Sequence, residues 1–439
     1  MKETKKVWRT GKTAALLLLA VLLACVVIVP ASAENSSAVF TQQEIQGMMT
    51  AGSVFSDVFE DTLYNSLDDN AKADYMATVL GSLSGPSISG YAMMNSVPGM
   101  QSANVNPQAQ VQYQTQTNSI LQQYDLSTYS EPLIDRESIY YNEDAKTFSF
   151  AYNTGVLAMV KIGRDTCCDG IDENVLLAEM QNSILSREQY TADSLMASTS
   201  GNDALLIFDL TNNGQLRGTF LGLYNIVLPN SHKFSSITLK ENPTVNDYKT
   251  LLSGKKLVLI SQHGAIYQKS VISPKYPCLR LFEPVTDANM AVYNSDLSAQ
   301  RVALYYRNPQ DPIHLSNEYA LLPKFFEYYY SNNKMNNAYV HLGVCDSFGN
   351  SGNVNYELAA KLLGAGANVV TGYHNSVNVP GYEQPMTEDI VDMIVNNGYS
   401  VQQAVDQAKR YNGDTDHGHG TVVKEDAYII IHGNNAWTL

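Results

Sequence analysis

Two short apolar runs constrain this chain more than any other feature. Lys256-Leu257-Val258-Leu259-Ile260-Ser261-Gln262 and Ala338-Tyr339-Val340-His341-Leu342-Gly343-Val344 are too short for core helices. They are also too continuously apolar for strands with one wet face, so each reads as a strand covered on both faces. Such strands run parallel and need crossover helices between them. From Asn202 the chain supplies that rhythm. Ala204 to Leu210 reads as a strand, Gln215 to Val227 as a helix and Phe234 to Leu239 as a strand. A helix then opens at Pro243 and closes at Ser253-Gly254. The stretch between the two runs reads as loops rich in Pro, Asn and Asp with a helix over Asn317 to Tyr330. After it come a helix from Tyr356 to Leu363, a strand from Asn368 to Tyr373, helices over Thr387 to Asn396 and Ser400 to Arg410, and a last strand from Ala427 to Ile431. The expected class is α/β, an αβα sandwich with a mostly parallel sheet.

The residues at the ends of the runs carry the chemistry. The first stops at His263-Gly264 and the second at Cys345-Asp346-Ser347-Phe348-Gly349. Carboxyl ends of parallel strands are where open α/β sheets place their reactive groups. If the two strands are neighbours, an imidazole and a thiol meet at one sheet edge. A cysteine attacks as the thiolate, so His263 would take the Cys345 proton and later return one to a leaving amine. Glycine at 264 lets backbone approach closely, and the amides of Gly264 and Cys345 are the candidate oxyanion donors.

These residues resemble the caspase-fold cysteine peptidases called clan CD, which carry His-Gly after one buried strand and a cysteine after the next. The carboxyl-terminal order is most similar to the CHAT-type and gingipain-like branches. Gly364 to Ala367, Gly398-Tyr399-Ser400-Val401 and Ile431-His432-Gly433-Asn434 fall in the family's sequence of turn, helix end and closing strand. The resemblance covers about Asn202 to Leu439. It implies a caspase-like sandwich, a cysteine endopeptidase working through an acyl-thioester, and no cofactor. It also implies a substrate groove along Gly343, Thr371, Tyr373 and His374. Two departures stand out. Val344 replaces the usual alanine, and Gly343 stands where clostripain- and legumain-like members put an acid that binds a basic or amide side chain. No preference for Arg, Lys or Asn is therefore implied. A transpeptidase using the same dyad and a non-catalytic surface binding or adaptor module are the alternative readings.

The amino terminus reads as an export signal over residues 1–33. Lys2, Lys5, Lys6, Arg9 and Lys12 precede an uncharged run, and Ala31-Ser32-Ala33 offers a cleavage site before Glu34. An uncleaved anchor, or lipid on Cys25, is the competing reading and the one route to a membrane. Either way the expected location is secreted or at the cell surface. Removing those five basic residues and Glu3 takes the formal charge from −15 to −19, which disfavours nucleic acid and leaves a protein or peptide substrate as the expected partner.

Residues 34–201 read as a helical and hairpin region, a propeptide or a substrate-recruiting module. Thr41-Gln42-Gln43-Glu44 has the form of a capping box, with Val54, Phe55, Val58 and Phe59 on one face. Ser84 to Gln123 reads as linker, and Ser138 to Ile162 as a hairpin turning at Asn142-Glu143-Asp144. Asp165, Asp169, Asp172 and Glu173 surround Cys167-Cys168; their spacing is not that of an EF-hand, and a solvated acidic turn outweighs calcium. One of the paired cysteines could bridge to Cys278, leaving Cys345 free. No metal site is expected. Asp416-His417-Gly418-His419-Gly420 lacks a third ligand nearby, His432 follows the wrong strand, and His341 faces away from Val340 and Leu342 into core.

Overall fold

A computed structural model describes residues 40–85, 97–100, 107–163, 202–209, 219–270, 273–308, 317–332, 334–350, 352, 354–416 and 426–439. The export signal, the Cys167-Cys168 pair, the acidic loop and His417 to Gly420 lie outside them.

Helix α1 (Gln42–Glu60) starts as its sequence demands. The Thr41 side chain accepts from the Glu44 amide while the Glu44 carboxylate accepts from the Thr41 amide, satisfying two donors that a helix start leaves orphaned. Helices α2 (Thr62–Ser66) and α3 (Asp69–Leu83) follow, capped by Asp61 and Asp68. Helix α4 (Pro107–Leu121) replaces the later part of the expected linker, of which 86–96 and 101–106 lie outside the described residues. It is too polar to be recognised by composition, yet Gln110, Tyr113, Thr117 and Ile120 form a narrow buried stripe at helical spacing. Tyr113 stacks on Tyr75 of α3 with ring centroids 5.3 Å apart.

Strands β1 (Ile134–Asn142), β2 (Thr147–Tyr152) and β3 (Leu157–Lys161) form an antiparallel meander. Strands β4 (Asp203–Phe208), β5 (Ser236–Glu241) and β6 (Leu257–Gln262) follow, with a π-helical turn at Leu223–Val227 before β5. The interval expected to be mostly loop contains β7 (Gly264–Gln268), β8 (Lys275–Pro284), β9 (Val302–Tyr306) and β10 (Asn317–Leu321). The expected helix over Asn317 to Tyr330 is instead β10 followed by α5 (Pro323–Tyr329). Proline at a helix start supplies the right φ and disfavours helix just before it, so the helix begins there and no earlier. Strand β11 (Ala338–Val344), helix α6 (Glu357–Gly364), strand β12 (Ala367–His374), helices α7 (Gln384–Val395) and α8 (Val401–Asn412) and strand β13 (Tyr428–Gly433) close the chain.

Among the described residues these strands make two sheets, one of six strands in the order β13-β12-β11-β6-β4-β5 and one of seven in the order β1-β2-β3-β9-β10-β8-β7. The six-stranded sheet is parallel except for β13. The seven-stranded sheet is antiparallel except where β3 meets β9. The expectation of a mostly parallel sheet is thus corrected to an α/β protein with two large mixed sheets. Hairpins explain the difference: β7 to β10 come in short succession, and short connections can join only antiparallel neighbours. The seven-stranded sheet curls into a half-barrel, and the Gln268 amide of its edge strand donates to Ser149 Oγ of β2 at 3.2 Å. Because β1 to β3 share that sheet with β7 to β10, residues 40–439 form one compact unit, and position 201 is not a division between units.

Alternation along β11 sorts the core. Val340, Leu342 and Val344 face one apolar cluster with Val258, Ile260 and Leu358, Ala359 and Leu362 of α6. Tyr339 and Cys345 face the other with Leu257, Leu259 and Ile390, Ile394, Ala404 and Val405 of α7 and α8. Each such aliphatic side chain, fully buried, contributes about 1.5–3 kcal/mol before entropy is counted.

Candidate active site

The register of β11 on β6 decides where the two reactive residues lie. Leu342 pairs with Ile260, Gly343 with Ser261 and Val344 with Gln262, so Cys345 and His263 are the next positions on adjacent parallel strands. Both are nearly closed off, with 8% and 4% exposure. They line one small cavity of about 40 Å³ together with Gly264, Asp346, Lys161 and Arg280.

At His263 the chain leaves one sheet and enters the other, since β6 ends at 262 and β7 begins at 264. The His263 carbonyl accepts from the Arg280 amide at 2.9 Å, which ties the crossover to β8. Arg280 is itself held by Glu318, whose Oε2 accepts from Nε at 3.1 Å and Nη2 at 2.9 Å, and its guanidinium lies 4.1 Å from the Tyr305 ring centre. Gly264 is required by close approach: a Cβ there would sit 1.9 Å from the Cys345 carbonyl oxygen.

Cys345 stands at a sharp turn. Asp346 adopts φ 57°, in the left-handed region that side chains rarely enter. The turn is stapled to the end of β12: the Asp346 amide donates to the Asn375 carbonyl at 3.1 Å and the Phe348 amide to the Tyr373 carbonyl at 2.9 Å. Ser347 Oγ accepts from the Tyr373 amide at 2.8 Å. The Cys345 thiol lies 3.7 Å from the Val377 carbonyl, in the segment leading to a π-helical turn at Val379–Glu383.

The residues expected along a groove are placed otherwise. Gly343, Thr371, Tyr373 and His374 are all buried, and none lines the cavity beside the dyad. Thr371 Oγ1 bonds His341 Nδ1 at 2.8 Å and Tyr339 OH at 2.8 Å. Tyr373 is pushed well above its ordinary range by burial and by the Glu383 charge. His374 turns to the opposite face, where Nδ1 meets the Phe348 carbonyl at 3.2 Å. The physical reason is that both faces of the sheet are covered at β12, by α6 on the side of Val370 and by α7 and α8 on the side of Val369 and Tyr373, so its side chains are core. His341 is likewise core, and His432 packs on Tyr356 with its pKa lowered by burial.

The proposed Cys278 bridge is also corrected: Cys278 is a free thiol on β8, donating to the Tyr276 carbonyl at 2.9 Å and pushed up to about 12 by burial. Among the described residues no cluster of three or more His, Cys, Asp or Glu could hold a metal ion, and no helix is long and apolar enough to cross a membrane.

Sequence reasoning missed Arg280, Lys161, Val377 and Glu383. Lys161 ends a strand of the expected hairpin region, with nothing in the sequence to bring it to the site, and Arg280 lies on β8, in the interval read as loop. Glu383 carries no motif, and only the three-dimensional structure sets it over Gly343. The fold and site thus define an α/β protein with a cysteine and a histidine side by side at the carboxyl edge of a parallel sheet. No protein-family model matches the sequence, and no curated protein matches it significantly.

Proposed function

We propose that the protein is a cysteine endopeptidase with Cys345 as nucleophile and His263 as acid and base. The observation that carries this reading is the β6–β11 register, which makes the two residues neighbours at one cavity. The six-stranded sheet, parallel but for its last strand and covered on both faces by helices, supports assigning it to the caspase-like sandwich. In the reaction His263 takes the thiol proton and the sulfur attacks the scissile carbonyl carbon. The resulting oxyanion is held by the Gly264 and Cys345 amides. The C–N bond then breaks as His263 protonates the departing amine, leaving an acyl-thioester. Water, deprotonated by His263, attacks that thioester and releases the acid and the thiol. The substrate is a protein or peptide, and the basic-then-apolar amino terminus supports action outside the cytoplasm.

The test is thiol reactivity. Iodoacetamide labelling of Cys345 in the purified full-length protein, from about pH 5 to about pH 9, should be rapid well below the free-thiol pKa of about 8.5. Labelling should slow at least tenfold in His263→Ala, and Cys345→Ala should abolish it. Labelling that ignores His263 rejects the reading. One observation favours the second reading, a non-catalytic module: the thiol is nearly buried beside the Val377 carbonyl.

A further inference from the structure

A buried polar chain runs behind the dyad on the face that carries Cys345. Tyr339 OH meets Thr371 Oγ1 at 2.8 Å, and Thr371 Oγ1 meets His341 Nδ1 at 2.8 Å. His341 Nε2 meets Thr387 Oγ1 at 2.8 Å, and Thr387 donates to Glu383 Oε1 at 2.9 Å. That last direction fixes the rest. With its hydrogen given to Glu383, Thr387 accepts from His341, so His341 carries a proton on Nε2. A neutral imidazole then accepts at Nδ1 from Thr371, which accepts from Tyr339. Every donor points toward Glu383.

Glu383 ends the chain in an unusual place. Its carboxylate occupies the space a side chain at Gly343 would fill, with Oε1 2.0 Å from where a Cβ would lie. Gly343 is two residues before Cys345 on the same face, about 7 Å away along the strand. Glu383 is fully buried and its Oε2 has no hydrogen-bond partner. Ser261 Oγ, beside Gly343 on β6, and Tyr373 OH, on β12, are also buried without partners. Buried polar atoms left unsatisfied are costly and uncommon, and three share the row directly behind the dyad. His341 of β11 and Tyr373 of β12 face the carboxylate, while Asp416 acts on Tyr373 and both Asp414 and Asp416 act on Tyr382 of its own turn. Around the dyad itself stand Lys161, Arg280 with Glu318, Tyr305 and Asp346.

We propose that Glu383 is the dyad's positioning carboxylate, a buried negative charge that sets where on the pH scale the thiolate–imidazolium pair exists. This rests on the peptidase reading. A negative charge behind the pair disfavours the thiolate and favours the imidazolium, so it raises the pH at which the pair forms and the pH at which it is lost. Glu383→Gln removes the charge with little change of shape. Thr387→Val removes the hydroxyl that donates to the carboxylate and so weakens the support for its charged form.

The experiment is the pH dependence of Cys345 labelling by iodoacetamide in the full-length wild-type protein, Glu383→Gln, Thr387→Val and His263→Ala, with thermal unfolding as the check on folding. The acid-side half-rise should move down by about half a unit to one unit in Glu383→Gln and by less in Thr387→Val. On the acid side this is a labelling rate roughly three- to tenfold above wild type. If Glu383→Gln does not fold, Thr387→Val decides. Rates that change without displacement of the half-rise, or a half-rise held within about 0.2 units in the folded variants, overturn the assignment while dependence on His263 leaves the dyad standing. A wild-type thiol indifferent to His263→Ala overturns the dyad and the proposal with it.

Discussion

At the residue scale, the site is set by two glycines with no room for a side chain. Gly264 lies against the Cys345 backbone and Gly343 against the Glu383 carboxylate. The methyl of Gly264→Ala would meet a backbone oxygen, which cannot swing aside as a flexible side chain does, so one strand end must move. The expected result is a loss of about 1–3 kcal/mol of stability and at least a tenfold slower labelling of Cys345, read by denaturant unfolding and iodoacetamide kinetics. Retained labelling would mean that this approach does not hold the dyad. His263-Gly264 was legible in the sequence because glycine after a strand-ending histidine has a backbone reason to be there. Glu383 was not, because its partner is an absence, the missing side chain of residue 343.

At the element scale, helix α4 shows how a segment with weak composition is ordered by its neighbours. Its polar face reads as linker, and it becomes a helix because α1 and α3 offer a surface for Tyr113 and Ile120. Helix α3 carries a cost in the same region. Asp74 is half-buried, and burial with the nearby Asp68 charge pushes its carboxyl up to about 6. The folded value is raised above the unfolded one, so this group favours the fold below about pH 4 and that contribution is lost as pH rises through about 6. Asp74→Asn should therefore stabilise the protein by about 1 kcal/mol at neutral pH, after discounting for solvent screening, and by almost nothing near pH 4. Melting curves at the two pH values check this, and an equal gain at both would point to helix propensity instead.

At the scale of the whole molecule, the seven-stranded half-barrel binds the amino-terminal strands to the region that carries His263 and Cys345. Strand β9 has β3 as its parallel neighbour, through Ala158 with Leu304 and Val160 with Tyr306. A chain beginning at Asn202 would expose that edge and the apolar side chains of Ala303, Tyr305 and Ala320 that cluster with Leu157 and Met159 of β3. It is expected to lack a cooperative unfolding transition and to aggregate, as followed by circular dichroism and light scattering. A soluble, cooperatively unfolding fragment would restore position 201 as a true domain boundary and with it the simple propeptide reading.

The sequence alone marked the strands of the six-stranded sheet, the cap that starts α1, and a histidine and a cysteine at the ends of two of those strands. These depend on local patterns: continuous apolar runs, Thr and Ser at helix starts, and polar residues where strands end. Tertiary structure decided what those patterns cannot encode. It made four strands, β7 to β10, in the interval read as loop, where no clear apolar periodicity announces them. It buried Thr371 and Tyr373 under the helices that cover the sheet, and it set a carboxylate from a π-helical turn against Gly343, two residues before Cys345. Those outcomes depend on which surfaces meet, and only the folded chain brings them together.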